Sequence, residues 1–182
     1  MWEPSVLRTP PFLEALTWIT KEECDLALRR LTSLREQYAD DPWSAVEIDR
    51  WIARTLAKTG RKEEAYVLLQ QLRPGLEKLQ YDLSLHHFQV IQLLQLLGKL
   101  DELQSYCQNI SGHFRTNDAL GHLDWILQYA SSNDAAQPTD FMYTVLAVCT
   151  IQLGLDVPPR CIAGPDFRTI VERCIELRDS KR

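Results

Sequence analysis

The sequence predicts an all-α protein built from antiparallel helix pairs stacked side by side, and three observations carry that prediction. An amphipathic pattern stops at Gly60, a short polar turn follows, and a second apolar pattern starts at Ala65. Glycine at a helix end takes the left-handed backbone conformation that other residues adopt at a cost, so this is a helical hairpin. Looser echoes of the junction place Cys24 and Leu103 equivalent to Ala65, 41 residues before it and 38 after it. A period of that size points to stacked helix pairs. Finally, no segment alternates apolar and polar residues convincingly enough for a strand.

Each element follows from local pattern. After Pro10 and Pro11, residues 12–19 carry Phe12, Leu16 and Ile19 on one side. Thr20 with Glu23 three residues on reads as a capping box opening a longer helix, whose stripe is Cys24, Ala27, Leu28, Leu31, Leu34 and Tyr38. Asp41 is a good N-cap and Pro42 fits the first turn of a helix over 43–59, with Val46, Trp51, Ile52, Leu56 and Ala57 as its apolar residues. Residues 61–72 return with Ala65, Leu68, Leu69 and Leu72 until Pro74-Gly75 breaks or kinks the helix. Asp82 caps a helix over 83–97 that is apolar nearly all round, as a helix sandwiched between neighbours would be.

Residues 100–110 make the returning helix and 111–116 a loop. Asn117 or Asp118 then caps a helix to Ala130, 131–138 is a polar connector, and Thr139-Asp140 caps an apolar helix to Leu153. The stretch 154–165, with Pro158-Pro159 and Gly164-Pro165, is too rich in Pro and Gly for regular helix, and a last helix covers 166–177. The expected organisation is one all-helical domain over 1–182, with helix pairs in 10–110 and further helices in 117–178.

Composition narrows the function classes. Of 182 residues, 45% are hydrophobic and 25% charged, ordinary for a globular protein long enough to bury a core. The formal charge of −5 is spread along the chain and argues against nucleic acid, whose phosphates reward concentrated Lys and Arg. The least polar stretch, 141–155, is shorter than the roughly 20 residues that cross a bilayer, so no membrane insertion is expected. Five cysteines, at 24, 107, 149, 161 and 174, form no C-x-x-C pair, and four fall on apolar helix faces. They read as reduced, buried thiols, and with no signal segment at Met1 the expected location is the cytoplasm.

No chemistry-bearing motif emerges. His86 and His87 are adjacent, so on a helix they diverge by about 100° and cannot chelate one ion together. His113 and His122 lack a neighbouring Cys or Glu at ligand spacing. There is no nucleophile elbow and no glycine-rich phosphate loop. The acidic pairs Glu22-Glu23, Asp40-Asp41 and Glu63-Glu64 sit at predicted helix starts, where they favour the macrodipole. A non-enzymatic protein without cofactor or metal is expected.

The residues around the central hairpin resemble the tetratricopeptide repeat, a helix–turn–helix unit. Ile52, Ala53 and Leu56 stand where that family's first helix carries a large, a small and a large residue. Ala65 and Leu69 stand where its second helix carries a small residue and a large one. Asp49 departs from the pattern, which favours a bulky residue there, and the downstream unit lacks both small residues. The resemblance implies a short tetratricopeptide-like α-solenoid, with an irregular α-helical bundle as the alternative. It further implies a protein–protein interaction module, an adaptor or complex subunit binding a protein or peptide on the surface of the first helices, alone or as a hetero- or homo-oligomer. Asp49, Arg50, Arg54, His87 and Gln95 are the candidate contact residues. The alternative functions are a client-specific, secretion-type chaperone and a regulatory domain sensing a peptide or small ligand. Gln89, Gln92 and Gln95 recur every third residue and could line a groove; of the tryptophans, Trp2 and Trp43 fall near segment ends.

Overall fold

A computed structural model describes residues 4–111, 119–132, 138–155 and 165–181, and among them every regular element is helical. The chain divides into two compact units, Met1–Leu97 and Gly98–Arg182. The boundary between the units falls within the 10–110 span expected to form helix pairs. Gly98, the first residue of the second unit, adopts a φ of 67°, which favours glycine.

In the first unit a short 3-10 helix, Ser5–Arg8, leads into α1 (Pro10–Thr20), α2 (Cys24–Gln37), α3 (Pro42–Lys58), α4 (Lys62–Lys78) and α5 (Ser84–Leu96). Each helix packs on the next, and α3 also touches α5. The short turns between successive helices are those of antiparallel neighbours. Val6, Phe12, Ala15, Ile19, Ala27, Leu31, Leu34 and Ile48 form one buried cluster, with Trp51 and Ile52 packed against it. The Phe12 and Trp51 rings meet edge to face, tying α1 to α3.

The start of α3 follows the sequence closely. Asp41 Oδ1 accepts from the backbone N–H groups of Trp43 and Ser44, both at 3.2 Å, and Pro42 occupies the first turn. Asp41 Oδ2 also accepts from the hydroxyls of Ser44 and Ser5, at 2.6 and 2.8 Å, which anchors the preceding 3-10 helix. These bonds, that from the Ser44 hydroxyl foremost, hold the Asp41 carboxyl below its ordinary pKa. Gly60 ends α3 with φ 84°, and Ala53 and Ala65 are both buried in the hairpin that follows.

One local expectation is corrected and another narrowed. The capping box at Thr20 does not form: α1 runs through Thr20, whose hydroxyl donates to the Leu16 carbonyl at 3.0 Å, and α2 starts at Cys24 with no side-chain cap from Glu23. The turn is made instead by Glu22 at φ 65°. Nor does Pro74 end α4, which continues to Lys78. Leu72 and Leu76 are buried on either side of it, and the Arg73–Glu77 pair at 2.8 Å spans it. A Cβ on Gly75 would stand 3.7 Å from Val46 Cγ2, so the proline-containing turn lies close against α3. That packing offsets the one backbone donor that proline lacks.

The second unit holds α6 (Leu100–Ser111), a 3-10 helix (Ala119–His122), α7 (Leu123–Ser132), α8 (Asp140–Leu153) and α9 (Pro165–Ser180). Thr139 Oγ1 accepts from the Met142 N–H at 3.3 Å to start α8, and Gly154 at φ 77° stops it. Every residue from 142 to 150 is buried, including Thr144 and Thr150, so α8 is the central helix of this unit. It packs on α6, on the 3-10 helix and on α9, while α7 packs on α9. Arg178, itself buried, reaches from α9 to both carboxylate oxygens of Asp124 at 2.9 and 3.2 Å and to the Leu120 carbonyl at 3.0 Å. Helices α7 and α9 each extend beyond their predicted bounds, with Ser131 and Ser132 inside α7 rather than in the connector. The expected loop over 111–116, the cap at Asn117 or Asp118, and most of the stretches 131–138 and 154–165 lie outside the described residues, as do Trp2, His113 and Cys161. Among the described residues no helix is long and apolar enough to cross a membrane.

Candidate functional site

One face of α3 carries a hydrogen-bonded polar cluster. Glu47, Arg50, Trp51 and Arg54 recur at helical spacing, so one side of α3 presents them in a row. Glu47 and Arg50 are both buried and pair at 2.9 Å. The Glu47 carboxylate also accepts from Trp51 Nε1 at 3.0 Å and from the Tyr81 hydroxyl at 2.7 Å. Tyr81 lies in the turn between α4 and α5, packs its ring on Trp43 at 5.3 Å, and sits beneath the Arg50 guanidinium at 5.2 Å. The Arg54 guanidinium stacks over Trp51 at 4.9 Å.

Burial of a charged pair is tolerated only when geometry and hydrogen bonding are good. Three donors on one carboxylate meet that condition. Burial, and then the neighbouring Glu47 charge, raise the Tyr81 pKa, so the phenol remains a donor.

Opposite stand His86 and His87 on α5, buried at 1% and 3% exposure with ring centroids 5.8 Å apart. Both ring nitrogens of His86 and the Nε of Arg50 are enclosed without a hydrogen-bond partner among the described residues. Burial, reinforced by His87, Arg50 and Arg73, pushes the His86 pKa down to about 3, which keeps the ring neutral at ordinary pH.

The sequence-predicted contact residues divide by accessibility. Arg50 and His87 are buried in this cluster. Asp49 is half-buried and held by Arg35 Nε at 2.8 Å; its pKa is raised by burial against the pull of that partner. Arg54 and Gln95 are half-buried, as are Gln89 and Gln92. The structure therefore places Arg50 and Arg54 on one face of α3, with Arg50 near His86, the neighbour of His87 on α5. Glu47 and Tyr81 were not singled out by sequence reasoning. Glu47 precedes Arg50 by one helical turn, a local signal, but the partnership with Tyr81 spans 34 residues and leaves none.

Other features are simpler. A cleft of about 470 Å³ is lined by Glu22, Cys24, Asp25, Lys58 and Thr59, but Lys58 Nζ already donates to the Ile19 carbonyl at 3.3 Å. In the second unit Trp125 is 48% exposed, the most accessible described tryptophan, and its ring neighbours Tyr129 and Phe141. His122 packs edge-on against Phe141 at 5.5 Å. Cys107, Cys149 and Cys174 are buried free thiols and Cys24 is half-buried. Burial pushes Cys107 up to about 12 and Cys174 up to about 11, away from nucleophilic character. Among the described residues no group of three or more His, Cys, Asp or Glu side chains is placed to hold a metal ion. No family model, curated protein or solved structure matches the chain.

Proposed function

We propose that this chain is a non-enzymatic protein–protein interaction module of the cytoplasm, an adaptor or complex subunit whose helix pairs form a short tetratricopeptide-like α-solenoid. The observation that carries this reading is the face of α3. Half-buried Trp43, Trp51 and Arg54 lie along it above a rigid, hydrogen-bonded base of Glu47, Arg50 and Tyr81. Tryptophan, tyrosine and arginine are the residue types that dominate binding hot spots, because each buries a large area while retaining a polar handle. In this reading Arg54 and Gln95 touch a protein or peptide partner, while Asp49, Arg50 and His87 hold the surface in shape. The spread of acidic charge favours a protein partner over nucleic acid.

Affinity purification of the tagged chain and of its Arg54→Glu variant from native cells tests the proposal. A stoichiometric protein that copurifies with the parent and is lost with the variant, while both melt alike, supports it. A partnerless monomer, or a partner indifferent to the α3 face in further variants at Trp43 and Gln95, overturns it.

A further inference from the structure

Whatever binds to the first unit, its last helix carries a chemical contradiction. His86 is enclosed on α5, and neither ring nitrogen has a hydrogen-bond partner among the described residues. The titratable and charged groups around it come from each element that packs on α5 within the unit. Helix α3 supplies Arg50 with its ion-pair partner Glu47, α4 supplies Arg73 with its partner Glu77, the α4–α5 turn supplies Tyr81, and α5 itself supplies His87. The two carboxylates among these are already engaged: Glu47 accepts from Arg50, Trp51 and Tyr81, and Glu77 from Arg73. A proton placed on His86 would add a cation beside Arg50 with no acceptor bonded to either ring nitrogen among the described residues.

We propose that α5 is an acid-released latch: His86 can take up a proton only after α5 has parted from α3 and α4, so mild acid opens this helix ahead of the rest of its unit. Helix α5 is suited to that role because it closes the sequence of helices in Met1–Leu97, whereas α3 is packed by both α2 and α4. The sign follows from linkage. In the closed form the His86 pKa lies near 3, and in the open form it returns toward 6.5. Above 6.5 the ring is neutral in both forms and pH has no leverage. As pH falls from 6.5 toward 3, only the open form binds the proton, so opening is progressively favoured. Between pH 7 and pH 5 the opening constant rises about 25-fold for one such histidine.

Hydrogen–deuterium exchange of the full chain at pH 7 and pH 5, corrected for intrinsic exchange rates, reads this directly. Peptides within 84–96 should open about 25-fold more readily at pH 5, with peptides within 27–34 of α2 little changed. His86→Gln and His86→Leu should each abolish the difference, and His87→Gln should retain it. The proposal is overturned if α5 protection in the parent is indifferent to pH, if the response survives both His86 variants, or if 27–34 open in step with α5. Should either variant fail to fold, histidine NMR of the parent decides: a His86 ring that protonates while α5 stays protected also overturns the latch.

Discussion

The two units each bury an arginine against a carboxylate, and the pairs differ in a way that separates scaffolding from vulnerability. Arg50 and Glu47 are both enclosed, with side-chain exposures of 5% and 9%. Arg178 is enclosed at 8%, but its partner Asp124 is 64% exposed and Asp179 53% exposed. Water reaches the second pair through its carboxylates, so either partner can be lost without leaving a stranded charge far from solvent. Its hydrogen bonds with Asp124, and then with Asp179, raise the Arg178 pKa and keep α9 fastened to α7. The first pair has no such relief. Its carboxylate organises three donors from two elements, and its arginine acts on His86, whose ring nitrogens have no hydrogen-bond partner among the described residues.

This contrast is broken most forcefully at Glu47. Glu47→Ala should destabilise the chain by about 3–5 kcal/mol in chemical denaturation, because it leaves Arg50 charged and buried with the Tyr81 and Trp51 donors unmet. A loss below about 1 kcal/mol would show that the cluster is wet in solution. The scaffold beneath it is probed by Ala65→Leu, since Ala65 is fully buried in the α3–α4 hairpin. Overpacking there should cost about 1–3 kcal/mol. A variant that melts like the parent would mean that α4 can shift away from α3. Smallest is Arg178→Met, which keeps the aliphatic stem but removes the bonds to Asp124 and Leu120, and should cost about 1–2 kcal/mol. If it rivals Glu47→Ala, the exposure of Asp124 does not relieve the second pair as argued here.

Local chemistry was legible wherever one short-range interaction decides the outcome. Asp41-Pro42 starts a helix because the aspartate accepts the Trp43 and Ser44 N–H groups that the first turn leaves unpaired, while Pro42 has no N–H to satisfy. Gly60 and Gly154 end helices because their positive φ costs glycine little. The same logic misled at Thr20-Glu23, where a local capping pattern competes with continuation of α1 and the hydroxyl is used inside the helix instead. At Pro74, of the two outcomes expected, a break does not occur, since Leu72, Leu76 and the approach of Gly75 to Val46 hold α4 together.

The candidate site was half legible for the same reason. Placing Arg50 and Arg54 on one face of α3 needed only helical periodicity. Knowing that Arg50 is enclosed, that Tyr81 shares its carboxylate and that the His86 ring has no hydrogen-bond partner among the described residues needed the fold.

By itself, then, the sequence determined the helical class, most helix ends and the tight α3–α4 hairpin, because these depend on backbone donors, φ preferences and the 3.6-residue repeat. The tertiary structure alone decided the division at Leu97–Gly98, the survival of α4 through Pro74, and which polar side chains are sealed from water. Those outcomes depend on burial and on partners tens of residues away, and burial is a property of packed elements that no local window contains.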